Sequence, residues 1–384
     1  MFRSCLFCVL FSFFMGNMAL SETIDLEYMW ETDVDADPIF RIIDRVEMSS
    51  LGEFWVLDSR SFLIHVFSGD GDLLKSIDYY GDGPGELSKS VDFVLGDEGS
   101  VYLLAPFGPK VVDLRAKYED IVKSIAFLPE MFGEPATGIA IEKMGSNLLV
   151  VSWRTFSDQL IFQLISSDLF HGENEFKSVL LDTKKTSRIS IVAESDKFYT
   201  EMKPWCTTSE GEFFVAASRN CVGSKFIVEH YSSNGKLLGL IEKEIVRHRR
   251  NNYEKELAES RILKGPGFVK MMKDQGVSFL VEDFDPDVLK IYEVGSEVWV
   301  CTGVDYDSNT LFFDAYSKGR QFRRSVNLVC HGVNLNMDIL YLWEEAAIVV
   351  KGVSDVKSSS VFDDPREDQD PLQIQGFKFS GGKK

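Results

Sequence analysis

Short runs of alternating apolar and polar residues recur along the chain, separated by turns that contain glycine. The segment Glu53–Arg60 returns as Asn147–Arg154 and Glu212–Arg219, and more loosely as Ser100–Phe107 and Glu297–Val304. Repetition at an irregular spacing of roughly 40 to 50 residues, with every copy strand-like, is typical of a propeller, where one sheet buries its faces only when neighbours stack on it around an axis. The pattern therefore predicts an all-β fold, a six-bladed β-propeller of four-stranded antiparallel blades.

The turns divide the chain into blades. The Asp-Gly and Asn-Gly pairs at Asp70-Gly71 and Asn234-Gly235 are hairpin signals, because these residues accept a positive φ. The predicted innermost strands of the first five blades begin at residues 40, 91, 137, 205 and 288. The sixth blade starts near residue 338 and lacks an outer strand. Since Thr23–Trp30 is strand-like and otherwise unpaired, we expect it to pair with Leu372–Phe379 and close the ring.

Two segments interrupt this pattern within the predicted propeller, residues 22–380. Residues 247–286, between blades four and five, contain helix formers at i, i+3 and i+4 spacing, which predicts a short helical insertion; the helical pattern stops at Lys264–Gly267. Residues 354–370 form a polar loop that we expect to be mobile, and residues 381–384 a flexible tail. The insertion could lie beside a working surface or serve as a lid over strand ends.

The amino terminus has the features of a secretory signal. Arg3 precedes the mostly apolar run Leu6–Met18, and small residues follow at Ala19 and Ser21. The apolar run is shorter than the roughly 20 residues that cross a bilayer, and no second long apolar stretch follows, which disfavours the alternative of a membrane anchor. We therefore predict cleavage of residues 1–21 and a secreted or periplasmic protein with no transmembrane segment.

The chain is strongly acidic. Its formal net charge is −19, and loss of Arg3 with the signal would make it −20. Such a field repels nucleic acid and anionic membrane surfaces on average, although a local basic patch could still bind an anion. We expect a monomer that does not bind nucleic acid.

The cysteines leave two alternatives open. Four lie beyond the signal: Cys206, Cys221, Cys301 and Cys330. In an oxidising compartment they could form two disulfides, of which the pairs 206–221 and 301–330 close the shortest loops, or they could remain buried free thiols. The absence of a Cys-x-x-Cys spacing disfavours a zinc site.

The string Gly81-Asp82-Gly83-Pro84-Gly85-Glu86 lies between the outer strand of one blade and the inner strand of the next. With the repeat and the insertion, it resembles the hallmark of a bacterial six-bladed β-propeller family related to NHL-repeat proteins. The resemblance implies an exported protein with a binding or scaffold role. Three glycines permit positive φ, and Glu86 can accept hydrogen bonds from freed backbone donors, so the plainest interpretation is a blade-connecting turn braced by Glu86.

The repeats also predict a binding site. In a propeller, the connections from second to third strand and between blades lie on one face, so Arg60, Arg154 and Arg219 should share a rim there. Three guanidiniums could bind a carboxylate, sulfate or phosphate through forked hydrogen bonds. Trp153 could stack on a sugar or ring, and Asp82 and Glu86 belong to the same face. The ordinary alternative is that arginines at exposed strand ends are only solvated.

The sequence offers no catalytic signature. The five histidines are dispersed, and no Gly-x-Ser-x-Gly elbow is present. We therefore predict a binding or interaction module, with no cofactor, for an unknown protein, a glycan or a small anionic ligand. The alternative is a metal-dependent hydrolase or lyase similar to propeller lactonases, with calcium held in the channel by residues such as Asp58, Asn220, Asp305 and Glu86.

Overall fold

The computed structural model describes the following parts of the chain: residues 21–34, 38–40, 42–82, 86–106, 110–114, 124–126, 136–154, 159–166, 178–180, 204–216, 225–245, 249–253, 255–256, 283, 287–335, 338–352 and 372–380. The side chains of 98, 124–126, 136, 153–154, 159–166 and 178–180 are not among the described atoms. Residues 1–20 of the predicted signal, most of the insertion 247–286, the polar loop 354–370 and the tail 381–384 lie outside these ranges, whereas Ser21 is described and begins a strand.

The described strands form six blades around a central axis, which confirms the predicted propeller. The first three blades consist of β2 (Ile43–Met48), β3 (Phe54–Asp58), β4 (Leu63–Phe67) and β5 (Leu73–Asp78); β6 (Asp92–Leu95), β7 (Val101–Ala105), β8 (Lys110–Asp113) and β9 (Ser124–Ala126); and β10 (Ala136–Met144), β11 (Asn147–Arg154), β12 (Gln159–Ser166) and β13 (Ser178–Leu180).

The second half of the chain repeats this arrangement. Blades four to six consist of β14 (Trp205–Thr207), β15 (Phe213–Val215), β16 (Lys225–Tyr231) and β17 (Leu237–Glu244); β18 (Lys290–Val294), β19 (Glu297–Asp305), β20 (Thr310–Ser317) and β21 (Phe322–Val329); and β22 (Ile339–Leu342), β23 (Ala346–Lys351), β24 (Gln373–Ser380) and β1 (Ser21–Glu31). Within each blade, successive strands pair antiparallel from the axis outward.

The core lies between blades rather than inside any one of them. The middle strand β3 is buried along its whole length, whereas every residue of the outer strand β5 is at least partly exposed. One apolar cluster joins blades one and two through Leu57, Ile64 and Phe93, and another joins blades six and one through Ile348 and Ile43. Because both faces of a middle strand contact a neighbouring blade, those strands are apolar on both faces.

The amino-terminal strand closes the ring, as the sequence predicts. Residues 25–31 of β1 pair antiparallel with β24, with Leu26 opposite Phe379 and Glu31 opposite Gln375. The sequence did not predict a second pairing, in which residues 21–25 run parallel to β21 of blade five. Blades five and six therefore form one continuous eight-stranded sheet with β1 between them.

Trp30, near the end of β1, fills the joint between blade six and blade one. Its Nε1 donates a hydrogen bond to the Gly69 carbonyl over 2.9 Å, and its ring lies 5.8 Å from that of Phe54. The indole also lies against Gly71 and Gly376, where an added Cβ would collide with it. Glycine at these two positions therefore makes room for the tryptophan.

The described cysteines are buried free thiols. Cys206, Cys301 and Cys330 form no disulfide, so the 301–330 pair that the spacing left open is absent, and Cys221 lies outside the described residues. Burial raises the pKa of the Cys301 and Cys330 thiols to about 12. In the described part of the chain, no helix has the length and apolar character needed to cross a membrane.

We predict that Trp30→Ala lowers the free energy of unfolding by about 3 kcal/mol, because it empties the joint that closes the ring. Urea unfolding followed by circular dichroism measures the change. Met29→Ala is the matched control, since Met29 lies on the same strand and is 44% exposed. Equal stability of the two variants would contradict a closing role for the indole.

Candidate functional site

The six innermost strands enclose a central channel with a volume of about 1000 Å³. Its wall comes from β2, β6, β10, β14, β18 and β22, and from turns that join first to second strands, such as residues 49–51 and 96–97. We call the end of the propeller that carries these turns the hairpin face. The connection face is the opposite end, where second strands join third strands and one blade joins the next. The channel reaches the hairpin face.

A buried ionic cluster forms the part of the wall that belongs to blades one to three. The Arg45 guanidinium donates two hydrogen bonds to the Glu142 carboxylate, Nη1 to Oε1 over 3.0 Å and Nη2 to Oε2 over 2.7 Å. Its Nε donates to Glu47 over 2.6 Å, and its Nη1 lies 3.8 Å from Oδ2 of Asp92. We call Glu47, Asp92 and Glu142 the carboxylate cluster. Arg45 thus links blade one to blades two and three.

The carboxylate cluster places three acidic side chains around one guanidinium, and Asp92 also accepts backbone hydrogen bonds from Phe93 and Ile141. The side chains of Arg45 and Glu142 are 11% exposed, and that of Asp92 is 3% exposed. Burial raises the pKa of Glu47 despite the attraction of Arg45. Burial alone would lower the pKa of Arg45, but Glu142, Glu47 and Asp92 raise it well above its ordinary value. With all four groups ionised, three carboxylates face one guanidinium, and desolvation makes such an excess costly.

The wall contributed by blades five and six is aromatic. Tyr341 stacks on Trp343, with ring centroids 6.3 Å apart and planes inclined by 15°. Lys290 Nζ donates to the Leu340 carbonyl over 3.0 Å and lies 5.2 Å and 5.7 Å from the ring centroids of Tyr292 and Tyr341. The rings and the carbonyl stabilise the ammonium group on this side. The channel therefore has an acidic wall and an aromatic wall with one cation.

Other charged side chains along the channel are paired near the hairpin face. Lys143 Nζ lies 2.5 Å from Oδ1 of Asp97. The Glu293 carboxylate accepts hydrogen bonds from the Ser209 backbone N–H and hydroxyl, over 2.9 Å and 2.8 Å, and lies 2.7 Å from Lys318 Nζ. The acidic groups near the hairpin face therefore have cationic partners of their own.

Of the three arginines predicted to form a rim, the structure describes only Arg60 in full. Arg60 follows β3 and donates its backbone N–H to Asp58, and Asp82 is exposed between blades one and two. Trp153 and Arg154 end β11, but their side chains, and all of Arg219, lie outside the described residues. The described channel wall contains none of these residues. The rim therefore stays a prediction.

The Gly81–Glu86 turn has a structural feature of its own. Gly81 has a φ of +145°, and a Cβ there would collide with the Glu86 carboxylate, so the glycine allows that side chain to lie against the backbone. Residues 83–85 lie outside the described ranges. Glu86 is half-buried and is not part of the described channel wall.

Two of the residues considered for calcium, Asp58 and Asp305, brace turns. Asp58 Oδ1 accepts backbone hydrogen bonds from Ile42, Arg60 and Ser61, and Asp305 Oδ1 accepts them from residues 307 and 308. Asn220 lies outside the described residues. Over the described ranges, no group of three or more His, Cys, Asp or Glu side chains is placed to hold a metal ion. Within the carboxylate cluster, the Arg45 guanidinium occupies the space between the carboxylates.

Sequence reasoning missed the ionic cluster, although a signal was present. Arg45 and Glu47 are two residues apart on a strand predicted to line the axis, so their side chains point to the same side. Asp92 and Glu142 lie on the innermost strands of the next two blades. Charged residues on three consecutive innermost strands indicate a polar channel, but their pairing cannot be read from sequence.

Comparison with known proteins agrees with the fold. Residues 12–124 match a family model described as a 6-bladed beta-propeller. The sequence matches no curated protein.

Three solved structures align with most of this chain, each at low sequence identity. A Bacteroides fragilis protein described as exported is 12% identical, with a TM-score of 0.44 over 93% of this chain and 98% of that one. Virginiamycin B lyase from Staphylococcus aureus is 10% identical, with a TM-score of 0.42 and coverage of 91% and 98%. A luciferin-regenerating enzyme is 8% identical, with a TM-score of 0.44 and coverage of 92% and 95%.

We predict that Arg45→Met lowers the free energy of unfolding by about 3 to 5 kcal/mol near neutral pH, because it leaves buried carboxylates without their cation. Burial raises the pKa of Glu47, so protonation of that group in mild acid relieves the repulsion. The loss should therefore be smaller near pH 5 than near pH 8, and urea unfolding at several pH values measures it.

Lys143→Met is the matched control for Arg45→Met. It removes a cation from the neighbouring wall, where the side chains of Lys143 and its partner Asp97 are 35% and 71% exposed. We expect this variant to lose less than about 1 kcal/mol. A loss for Arg45→Met that does not change with pH would contradict the charge imbalance in the cluster.

Proposed function

We propose that this protein is an exported binding module that takes a small, positively charged organic molecule into the central channel from the hairpin face. The observation that carries the proposal is the group of three acidic side chains around one guanidinium in the wall of a cavity of about 1000 Å³. Pockets of this size hold small molecules, and a few convergent polar groups in them fix the ligand's orientation.

The charge balance selects the sign of the ligand. Glu47, Asp92 and Glu142 place three acidic side chains around the single guanidinium of Arg45. An ammonium or guanidinium group placed beside them would reduce that excess where water is scarce and electrostatic attraction is strong. A simple anion would meet the opposite field at this wall.

The aromatic wall suits the remainder of such a molecule. Tyr341 and Trp343 present stacked rings to the channel, and Trp55 also lines it. Aromatic side chains bury much apolar area and stack on flat or apolar ligand surfaces. Lys290 disfavours a second cation on that side, so we expect the charged end of a ligand to point to the carboxylate cluster.

Export to the periplasm or the cell exterior is part of the proposal. It is supported by the charged, apolar and small-residue regions of residues 1–21. An exported binding module would meet its ligand before the ligand enters a cell.

We predict that tyramine, a ring that carries an ammonium group, binds more tightly than its uncharged analogue 4-ethylphenol. We expect Glu47→Gln to weaken tyramine binding about tenfold, since it removes one charge-assisted contact, and to leave 4-ethylphenol unaffected. Isothermal titration calorimetry measures both.

Glu27→Gln is the matched control for Glu47→Gln, because Glu27 lies on β1 and pairs at the surface with Lys378. We expect it to keep the affinity of the unmodified protein. Equal affinity for the two probes, or an equal effect of the two substitutions, would remove the channel as a cation site.

Two further proposals remain separate from the channel. If Arg60, Arg154 and Arg219 form an anion rim, replacing all three with alanine should abolish sulfate binding measured by calorimetry, because the forked donors are lost. Unchanged sulfate binding would contradict the anion rim.

If the protein is instead a metal-dependent hydrolase or lyase, elemental analysis should find stoichiometric calcium or zinc, and a lactone and ester screen should show turnover. Protein with no metal and no turnover would contradict the metal-dependent enzyme.

A further inference from the structure

A buried histidine joins blades four and five. His230 on β16 is 2% exposed, and its imidazole stacks on the Phe214 ring at 4.0 Å with planes inclined by 8°. Arg320, in the turn between β20 and β21, places Nη1 2.7 Å from Nδ1 of His230. On the other side, Nε2 lies 3.0 Å from Oε2 of Glu212.

These contacts fix the protonation state of the ring. A guanidinium can only donate hydrogen bonds, so Nδ1 must accept and carries no proton. The proton of the neutral imidazole then lies on Nε2, toward Glu212. Burial lowers the pKa of His230, and Arg320 lowers it further, against the opposing effect of Glu212.

Arg320 adopts an unfavourable backbone conformation. Its φ is +69°, in the left-handed region that a side chain with a Cβ rarely occupies. Its guanidinium lies against Gly239 of β17, where an added Cβ would come within 2.8 Å of Nε. A strained residue persists only when surrounding contacts hold it, and the bond to His230 is such a contact.

The same turn also holds the mouth of the channel. Lys318, two residues before Arg320, donates from Nζ to the Ser209 hydroxyl over 3.1 Å and lies 2.7 Å from the Glu293 carboxylate. Ser209 and Glu293 both line the channel near the hairpin face. The turn at residues 317–321 therefore contacts blade four at His230 and at the channel mouth.

We propose that His230 and Arg320 form a pH-operated clamp, which holds residues 317–321 against the channel mouth at neutral pH and releases them in acid. Among the described residues, the charged groups that face the imidazole are Glu212, from the turn before β15, and Arg320, while β15 and β17 contribute Phe214 and Gly239. The idea that the clamp regulates ligand entry rests on the proposed function. The clamp itself is argued only from contacts within the protein.

A proton on Nδ1 would open the clamp. It removes the acceptor that Arg320 needs and places two cations 2.7 Å apart. Glu212 stabilises the imidazolium, so the arginine leaves rather than the proton. Because the folded state lowers the pKa of His230, the clamp's contribution to stability is full above the ordinary histidine pKa of about 6.5 and is lost as pH falls through the lowered value.

Hydrogen exchange followed by mass spectrometry tests the clamp without any ligand. The backbone N–H of Ser317 bonds to the Gln321 carbonyl and that of Arg320 to the Ser317 carbonyl, so both amides report on the turn. After correction for the pH dependence of chemical exchange, we expect protection of 317–321 to fall about tenfold between about pH 7.5 and about pH 4.5.

Two variants separate the clamp from general acid effects. His230→Gln should abolish the pH response of the turn, whereas His331→Gln should keep it, since the side chain of His331 is 74% exposed. Should His230→Gln fail to fold, Arg320→Gln provides the same test, because a neutral side chain is not repelled by the imidazolium. Equal protection at both pH values in the unmodified protein, or a pH response that survives these substitutions, would overturn the proposal.

The outcome is distinguishable from that of the proposed function. A turn that responds to pH in a protein that does not bind tyramine would support the clamp and reject the channel ligand. Tyramine binding by a protein whose turn does not respond to pH would support the channel ligand and reject the clamp.

Discussion

The structure depends on one constraint, the pairing of β1 with β24 at the end of the ring. A blade buries its faces only against two neighbours, so the first and last blades are stable only when they meet each other. Antiparallel pairing of residues 25–31 with β24 provides that contact, and Trp30 fills the joint against Gly71 and Gly376. The parallel pairing of residues 21–25 with β21 extends the same strand to blade five. The strand β1 therefore connects blade six to blade five through β21 and to blade one through Trp30.

Closure also determines where charge can accumulate. Once the ring is closed, the gaps between blades fill with apolar side chains, while the six innermost strands leave a channel of about 1000 Å³ along the axis. Charged residues can then stabilise the ring by bridging neighbouring blades. Arg45 does so with Glu142 near the axis, and Lys243 does so farther out, where both oxygens of Asp314 lie within 2.7 Å of its Nζ.

The sequence predicted the fold well because its signals are local. Alternating apolar residues and Asp-Gly or Asn-Gly turns specify hairpins, and the lone strand Thr23–Trp30 had a single vacancy to fill. The parallel pairing with β21 was missed because no local pattern encodes it. The charged pairs were missed for a similar reason, since Arg45 and Glu142 are 97 residues apart and their contact depends on the angle between blades. The predicted arginine rim extends to residues that the structure does not describe.

The hairpin face brings side chains of neighbouring blades into contact at the mouth of the channel. On the hairpin face, tight glycine-containing turns bring side chains from different blades into contact, as when Lys318 of blade five contacts Ser209 of blade four. In the proposed clamp, Arg320 and Lys318 belong to one turn, so release of Arg320 from His230 would loosen a segment that also contacts the channel mouth. The joint between blades four and five and the mouth of the channel thus share one short turn.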